Sequence, residues 1–354
     1  MTTALSTQNP TIVDIAKERD SEGKLLPYIY ALSQANAFIR QCTWIETNQA
    51  RSHMASVETS APLPSTRILN RGVDSQYGTS AQIEETVAQL KDWVKIDEDV
   101  ANYGGDPQSY RVRQAMGRLR AMGRKFTYLS FYGNRGANPS DINGLSMRYS
   151  AKSGAPNSQN TLSAGGTTNT NCSIWLIGFN EYALTGIFPK GSIAGIHHRD
   201  WGLRPVTNAI DAAGNAVGNL AMYEDEFTMD FGLFLADWRH VVRIGDIDVT
   251  GLNTQTGADI AYFMDEAIAR LPEDTNLAPE EGVESTKPVY HFFCPRTVQR
   301  NLRHQIKQVT VQGAGYAKEG MVQAYRPTWE WEYSGVPLGI VDQLLLTESN
   351  LLTL

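Results

Sequence analysis

The stretch DPQSYRVRQAMGRLRAMGRKFTYLSFYGN, Asp106 to Asn134, decides how the rest of the chain is read. Asp106-Pro107 is a helix-start signal, because the carboxylate can cap free amides and a proline at the first helical position lacks only a donor that would be orphaned anyway. Gly133-Asn134 are residues that readily take the left-handed turn closing a helix. Between them Val112, Ala115, Met116, Leu119, Met122, Phe126 and Leu129 recur at spacings of three and four, which predicts one buried face along the whole element. At about 1.5 Å per residue, a helix over about 107–133 is roughly 40 Å long. That length predicts a spine for the fold.

The opposite side carries Arg111, Arg113, Arg118, Arg120, Arg124 and Lys125, with no acidic residue between Asp106 and Asp141, in a chain whose net charge is -7. Two readings account for this local reversal of sign. The face is solvated or ion-paired, against Glu84-Glu85 or Asp97-Glu98-Asp99; or it meets phosphate or an acidic face of another subunit, since clustered arginine is an electrostatic footprint.

The chain has 354 residues, enough for a large core and two or three lobes, and its 42% hydrophobic and 19% charged content describes an ordered protein. Its apolar runs, such as Cys172 to Phe179, are far short of the ~20 residues a membrane helix needs, so no membrane partner is expected. The first thirty residues place Asp, Glu and Pro where a secretory signal has a basic start and an apolar block, which predicts a cytosolic product. Cys42, Cys172 and Cys294 are odd in number and widely spaced, and are expected to be small buried hydrophobes rather than a disulfide framework or metal site. The acidic balance argues against a general nucleic-acid binder. It leaves room for local contact, since a container for nucleic acid gains from not sticking to it.

Residues 1–50 read as an arm with short helical pieces at Thr11–Lys17 and Leu25–Phe38 that cannot form a core alone. From Arg51 to Gly78, two alternating runs at 53–59 and 65–70 predict an extended two-stranded loop, which needs a partner surface. Thr79–Asp97 has both helical and alternating spacing, with strand favoured for its second half and a turn at Glu98–Tyr103. Ala151–Asn171 is rich in Ser, Thr, Asn and Gly and reads as an exposed connection. Strands are expected at Cys172–Phe179 and Leu184–Phe188, and as a hairpin pair at Leu220–Asp230 and Phe234–Ile244. A helix at Ile260–Leu271 and an acidic loop at Glu273–Glu284 follow. A strand at Val289–Phe293, a helix from Pro295 to Gln305 and closing strands within 320–347 complete an α+β chain.

The search for chemistry yields little. His197-His198 with Asp200 is the nearest approach to a metal site, but adjacent side chains on a strand point to opposite faces. Asp246 and Asp248 resemble a carboxylate pair, with a polar turn as the simpler reading. Lys190-Gly191-Ser192 lacks the rest of a phosphate loop. Trp329, Trp331 and Tyr333 read as one face of a core or interface strand. No catalytic residue, cofactor or metal is assigned, and the chain is expected not to be an enzyme. The rival reading is a metal-dependent hydrolase using His197, His198 and Asp246.

The order of parts resembles the major capsid protein of tailed bacteriophages, with the Hong Kong 97 phage capsid fold. Trp93-Val94-Lys95-Ile96-Asp97, the long helix, Phe131-Tyr132-Gly133-Asn134 and Ile142-Asn143-Gly144-Leu145 look like that family's strand, spine helix and following loop. Ser173 to Ile177, Gly186 to Ser192 and Asp237 to Ile244 resemble its short-tailed-phage branch, and Gly335 to Thr347 its closing strand. The resemblance implies an N-terminal arm (1–50), an extended loop (51–82), a peripheral domain (83–149 and 316–354) holding the spine helix, and an axial domain (150–315). It implies pentamers and hexamers closing an icosahedral shell around double-stranded DNA held by non-specific contact, a portal at one vertex, and a place for a decoration protein. The protein would be made in the host bacterial cytoplasm and reside in the virion. Arg67, Arg71, Arg111, Arg118, Arg120, Arg124 and Lys125 would lie at subunit interfaces or face the lumen. No lysine occurs between Arg51 and Gly78, so the covalent Lys-to-Asn cross-link of some relatives is not expected to start there. The chain opens directly on the arm, which predicts a separate scaffolding protein.

Overall fold

The computed structural model describes residues 37–60, 62–103, 106–167, 169–210, 216–254, 257–272, 288–312 and 331–353. In chain order these form helix α1 (Ala37–Gln41), strands β1 (Trp44–Glu46), β2 (Ser52–Ser60), β3 (Thr79–Thr86) and β4 (Ala88–Asp97), helices α2 (Glu98–Asn102) and α3 (Pro107–Tyr132), and α4 (Leu145–Arg148). Next come β5 (Ala151–Ser153), β6 (Thr161–Ser163), β7 (Asn171–Phe179), β8 (Leu184–Phe188), β9 (Ile196–Ile210) and β10 (Ala216–Leu235). The chain continues through β11 (Val241–Asp248), α5 (Val249–Asn253), α6 (Ile260–Ala269), β12 (Val289–Cys294), α7 (Arg296–Gln312), β13 (Trp331–Tyr333), β14 (Val336–Ile340) and β15 (Leu352–Thr353). The helical pieces expected at Thr11–Lys17 and most of Leu25–Phe38, the acidic loop at Glu273–Glu284, and the 320–330 part of the closing-strand stretch lie outside the described residues.

Contacts group the chain into two units, one holding Gln89–Phe126 and Gly195–Asp230, the other Asn36–Ala88, Thr127–Ala194 and Phe231–Leu354. These bounds do not coincide with divisions at 149/150 and 315/316. In the first unit β9 and β10 form a long antiparallel pair, with Asp225 opposite Asp200 and Phe227 opposite His198. β4 lies on the other side of β10. The pairing slips between Glu224 and Asp225, opposite Gly202, whose φ of 71° only glycine adopts without strain.

The second unit is built around β7, every residue of which is buried. β11 and β12 flank it antiparallel, and β14 adds to β12 in parallel. The alternation of a strand sends Ile174 and Leu176 into a core with Met264 of α6 and Val298 and Leu302 of α7. Its other face carries Trp175 and Phe179 into an aromatic cluster, where Phe38 meets Phe131 at 5.1 Å and Phe131 meets Trp175 at 5.7 Å. All three cysteines are buried in this unit as free thiols.

Several expectations are corrected. The hairpin partner of β2 is β3 rather than 65–70, which forms no strand, so Thr79–Asp97 is strand in both halves. Glu98–Asn102 is a short helix capped by Asp97, not only a turn. Ala151–Asn171 carries β5, a 3-10 turn and β6, with Asn160, Thr161 and Leu162 buried, so only part of it is an exposed connection. β10 pairs with β9 instead of 234–244, and β11 pairs with β7 and β6. In each case the partner is distant in sequence or has a polar pattern.

Candidate assembly surfaces

α3 begins where Asp106 accepts the Ser109 amide at 3.1 Å and Pro107 takes the first helical position. It ends at Gly133 for a different reason from the left-handed turn expected there. A Cβ on Gly133 would stand 2.5 Å from the carbonyl oxygens of both Leu129 and Ile142, so the close approach itself demands glycine. The Gly144 amide then donates to the Gly133 carbonyl at 2.9 Å, tying the next segment to the helix end.

The expected apolar face is buried only in the C-terminal part of the helix, at Met122, Phe126 and Leu129. Towards the N-terminus it is open, with Val112 and Met116 each 47% exposed. The sheet of the first unit grips a different side. Arg111 forms a bidentate pair with Asp225 (Nη2 to Oδ1 2.8 Å, Nε to Oδ2 3.2 Å) and also reaches Asp200 at 2.7 Å. One heptad on, Arg118 contacts Asp92 at 3.0 Å. The ion-paired reading therefore holds for these two arginines, with Asp92, Asp200 and Asp225 in place of the acids expected. Arg113, Arg120 and Arg124 form a separate row, and Lys125 is exposed.

The side of the sheet bearing Lys91, Trp93 and Lys95 carries a ladder of alternating charge. Lys95 pairs with Glu224 at 3.0 Å and Lys91 pairs with Glu226. Trp93 stacks on Trp201 at 6.1 Å, and the Arg199 and Arg204 guanidiniums lie 3.7 and 4.1 Å from the Trp201 ring centroid.

The β2–β3 ribbon is anchored at its base, where Arg148 pairs with Glu85 at 2.7 Å and Arg135 hydrogen-bonds Thr86. Its loop, 62–78, contains no strand and every residue in it is exposed. Leu69 is 89% and Tyr77 87% exposed, beside Leu63 and Ile68. Arg67 and Arg71 sit there too, and the Arg67 Nε donates to the Arg71 carbonyl at 3.3 Å.

The hydrolase residues are not brought together as a centre. His197 and His198 are neighbours on β9, where His198 Nε2 lies 2.9 Å from Asp225. Both Asp246 oxygens are engaged structurally, one by the Leu351 amide at 2.8 Å and one by the Ser163 hydroxyl at 2.6 Å. Asp248 caps α5, which is the turn reading. Among the described residues no group of three or more His, Cys, Asp or Glu could hold a metal, and the hydrolase reading has no support. The Gly191 amide already receives an anion, the Glu46 carboxylate at 2.6 Å. Tyr333 is a core residue whose hydroxyl donates to the Ala261 carbonyl.

Sequence reasoning missed a buried polar centre. The Glu348 carboxylate takes the Arg243 guanidinium at 2.9 Å, together with the hydroxyls of Ser173 and of Tyr132, the last residue of α3. Arg243 further donates to the Tyr149 carbonyl at 2.8 Å. No local pattern marks this set, since its members come from four distant segments.

A family model described as major capsid protein GP7 matches residues 20–352. Among solved structures, one from bacteriophage Epsilon15 is similar with a TM-score of 0.70 and 24% identity, covering 98% of this chain and 99% of that one, which shows the shared fold. The capsid of bacteriophage JBD30 gives a TM-score of 0.48 and 14% identity over 89% of this chain and 93% of that one. No curated protein matches. The α+β chain with its spine helix, projecting ribbon and exposed loop belongs to the major capsid protein GP7 family of phage shell-forming proteins.

Proposed function

We propose that copies of this chain associate head to tail into pentamers and hexamers that close an icosahedral shell around double-stranded DNA, and that its role is structural rather than catalytic. The observation that carries this is the ribbon. A two-stranded ribbon is marginal alone, and Leu63, Ile68, Leu69 and Tyr77 at its loop gain nothing in solvent. Head-to-tail contacts, in which the loop of one copy meets a different surface of the next, close into rings.

In this reading 1–50 is an arm, 51–82 an extended loop, 83–149 with 316–354 a peripheral domain and 150–315 an axial domain. Arg67 and Arg71 serve contacts between subunits. The Arg113, Arg120, Arg124 and Lys125 side of the spine faces the lumen or an acidic neighbour, while Arg111 and Arg118 also hold the spine to its own sheet. A scaffolding protein, a portal at one vertex, non-specifically held DNA and a decoration protein are the partners such a shell takes, after synthesis in the host cytoplasm. Negative-stain electron microscopy with sedimentation velocity on the purified chain and on chain co-expressed with its phage's assembly proteins tests the reading. Shells, tubes or five- and six-membered rings are expected; a monomer under both conditions would sink it.

A further inference from the structure

Along the ribbon, within the second unit, lies an open cleft of about 820 Å³. β2 lines it with His53, Val57 and Ser60, and Ile45, Tyr182, Phe234 and Trp238 make the rest mostly apolar. Tyr182 is 64% exposed, a large ring left in water. The His53 ring lies 4.6 Å from that of Phe234, and its Nδ1 is buried with no hydrogen-bond partner among the described residues. Burial holds the His53 pKa below its ordinary value, so the ring lines the cleft uncharged at neutral pH. An unsatisfied nitrogen in the wall of an open apolar cleft calls for an explanation, and a cleft completed by another molecule supplies one. Two carboxylates belong to the same lining. Asp237 is taken by Arg239 at 2.7 Å, whereas the exposed Glu181 carboxylate has no cation among the described residues.

The occupant that suits this lining is apolar, partly aromatic and positively charged. The ribbon loop, 62–78, is all three. Leu69 and Tyr77 are its most exposed large side chains, and Arg67 and Arg71 outnumber Asp74, its only acid. The loop thus carries a surplus of one positive charge where the cleft carries a surplus of one negative. DNA phosphate would be repelled by Glu181, and an uncharged small molecule would leave that carboxylate unanswered. The subunit's own loop does not serve, since every residue of 62–78 is exposed while the cleft stands open. We propose that Leu69 and Tyr77 of one copy's ribbon loop seat in the cleft of the next copy, against Tyr182 and Phe234, with the loop arginines meeting Glu181. The donating and receiving surfaces differ, as head-to-tail closure requires. The assignment rests on the shell reading in one respect, that the loop is a contact between copies, and adds which surface receives it.

The test mixes two full-length variants in one assembly, Tyr77→Cys carrying an affinity tag and Tyr182→Cys without one. Cys42, Cys172 and Cys294 are buried, so a short bismaleimide reads the introduced thiols. A product joining tagged to untagged chain is expected. Glu181→Arg in the receiving copy should cut its yield about tenfold, the loss produced when about 1.4 kcal/mol of contact energy is removed, and Arg67→Glu with Arg71→Glu in the donating copy should restore it. With Tyr182→Cys alone, maleimide should label the thiol about tenfold more slowly in assemblies than in free subunits, because a filled pocket excludes water. Equal labelling rates with no mixed product would overturn the proposal. So would a product confined to single polypeptides when both cysteines are placed in one chain, because the loop would then fill its own cleft. Particles imaged from the same samples keep the two readings apart: normal shells without mixed product reject this contact alone, whereas mixed product without rings or particles under any condition leaves the contact standing and counts against the shell.

Discussion

Removing the Glu348 carboxylate leaves the Arg243 guanidinium buried beside Trp175 with no counter-charge, and the cost of breaking such a pair is ~3–5 kcal/mol. Glu348→Ala should therefore lower the unfolding free energy by about that amount, read from chemical denaturation, while Arg243→Met with Glu348→Leu should recover much of the loss. A loss below ~1 kcal/mol would mean that water reaches the site. Elsewhere in the same unit, burial pushes the thiols of Cys42 and Cys294 up to about 12. They should resist alkylation at neutral pH until the protein is unfolded, as mass spectrometry of iodoacetamide adducts would report. Gly133→Ala forces a methyl group against two carbonyl oxygens, and should destabilise the end of the helix more than Gly117→Ala, where nothing lies within 4 Å of the added atom.

The two arginines that hold α3 differ in depth and hence in worth. Arg118 and Asp92 are each about a third or more exposed, so Arg118→Gln should change stability by no more than ~1 kcal/mol. Arg111 and Asp225 are nearly enclosed, and Arg111→Gln, which strips the guanidinium from the Asp225 carboxylate and leaves it the His198 ring, should cost about 3 kcal/mol by the same measurement. Asp200 is held below the usual carboxylate range, first by the Gly202 amide and then by Arg111. A depressed folded value means its contribution is present above the ordinary pKa of about 4 and is lost as pH falls below it, so the protection of α3 amides relative to their intrinsic exchange rates should fall in acid, and Asp200→Asn should flatten that response. Elements like these show what was legible in the sequence. Capping at Asp106, the largely apolar run of β7 and the helix α6 are local signals, and each lies where it was expected. The partner of β2, the long β9 with its polar alternation, and the side on which α3 is gripped are decided by residues far away in the chain. Periodicity predicted a buried Val112 and Met116 because it weighs apolar content and knows nothing of Asp225. The Glu348 centre had no local trace at all.

For the whole molecule, the ribbon loop separates stability from assembly. Leu69→Asp with Tyr77→Asp alters only solvent-facing side chains, so the melting temperature of the subunit should stay within about a degree or two while particle yield collapses. Unchanged yields of shells by electron microscopy would remove the loop from the interface. Charge reversal at the second arginine row of α3, Arg120→Glu with Arg124→Glu, should impair assembly or the yield of filled particles, and wild-type numbers of filled heads would refute a role for that row.

The stitching of the segment after β14 bears on when a newly made chain becomes competent. The Leu352 amide donates to the Ser150 carbonyl, the Glu348 amide to that of Asn171, the Val341 amide to that of Cys294, and the Leu351 side chain fills the space beside Gly245. Four strands or loops of the second unit thus wait for one late stretch of polypeptide. A ribosome that stalls before residue 348 releases a product whose core lacks the ties of Glu348, Leu351 and Leu352 and whose buried Arg243 lacks its counter-charge. Completion of the chain thus acts as an inspection step, and subunits truncated before residue 348 should be absent from assembled particles, as mass spectrometry of purified shells would report.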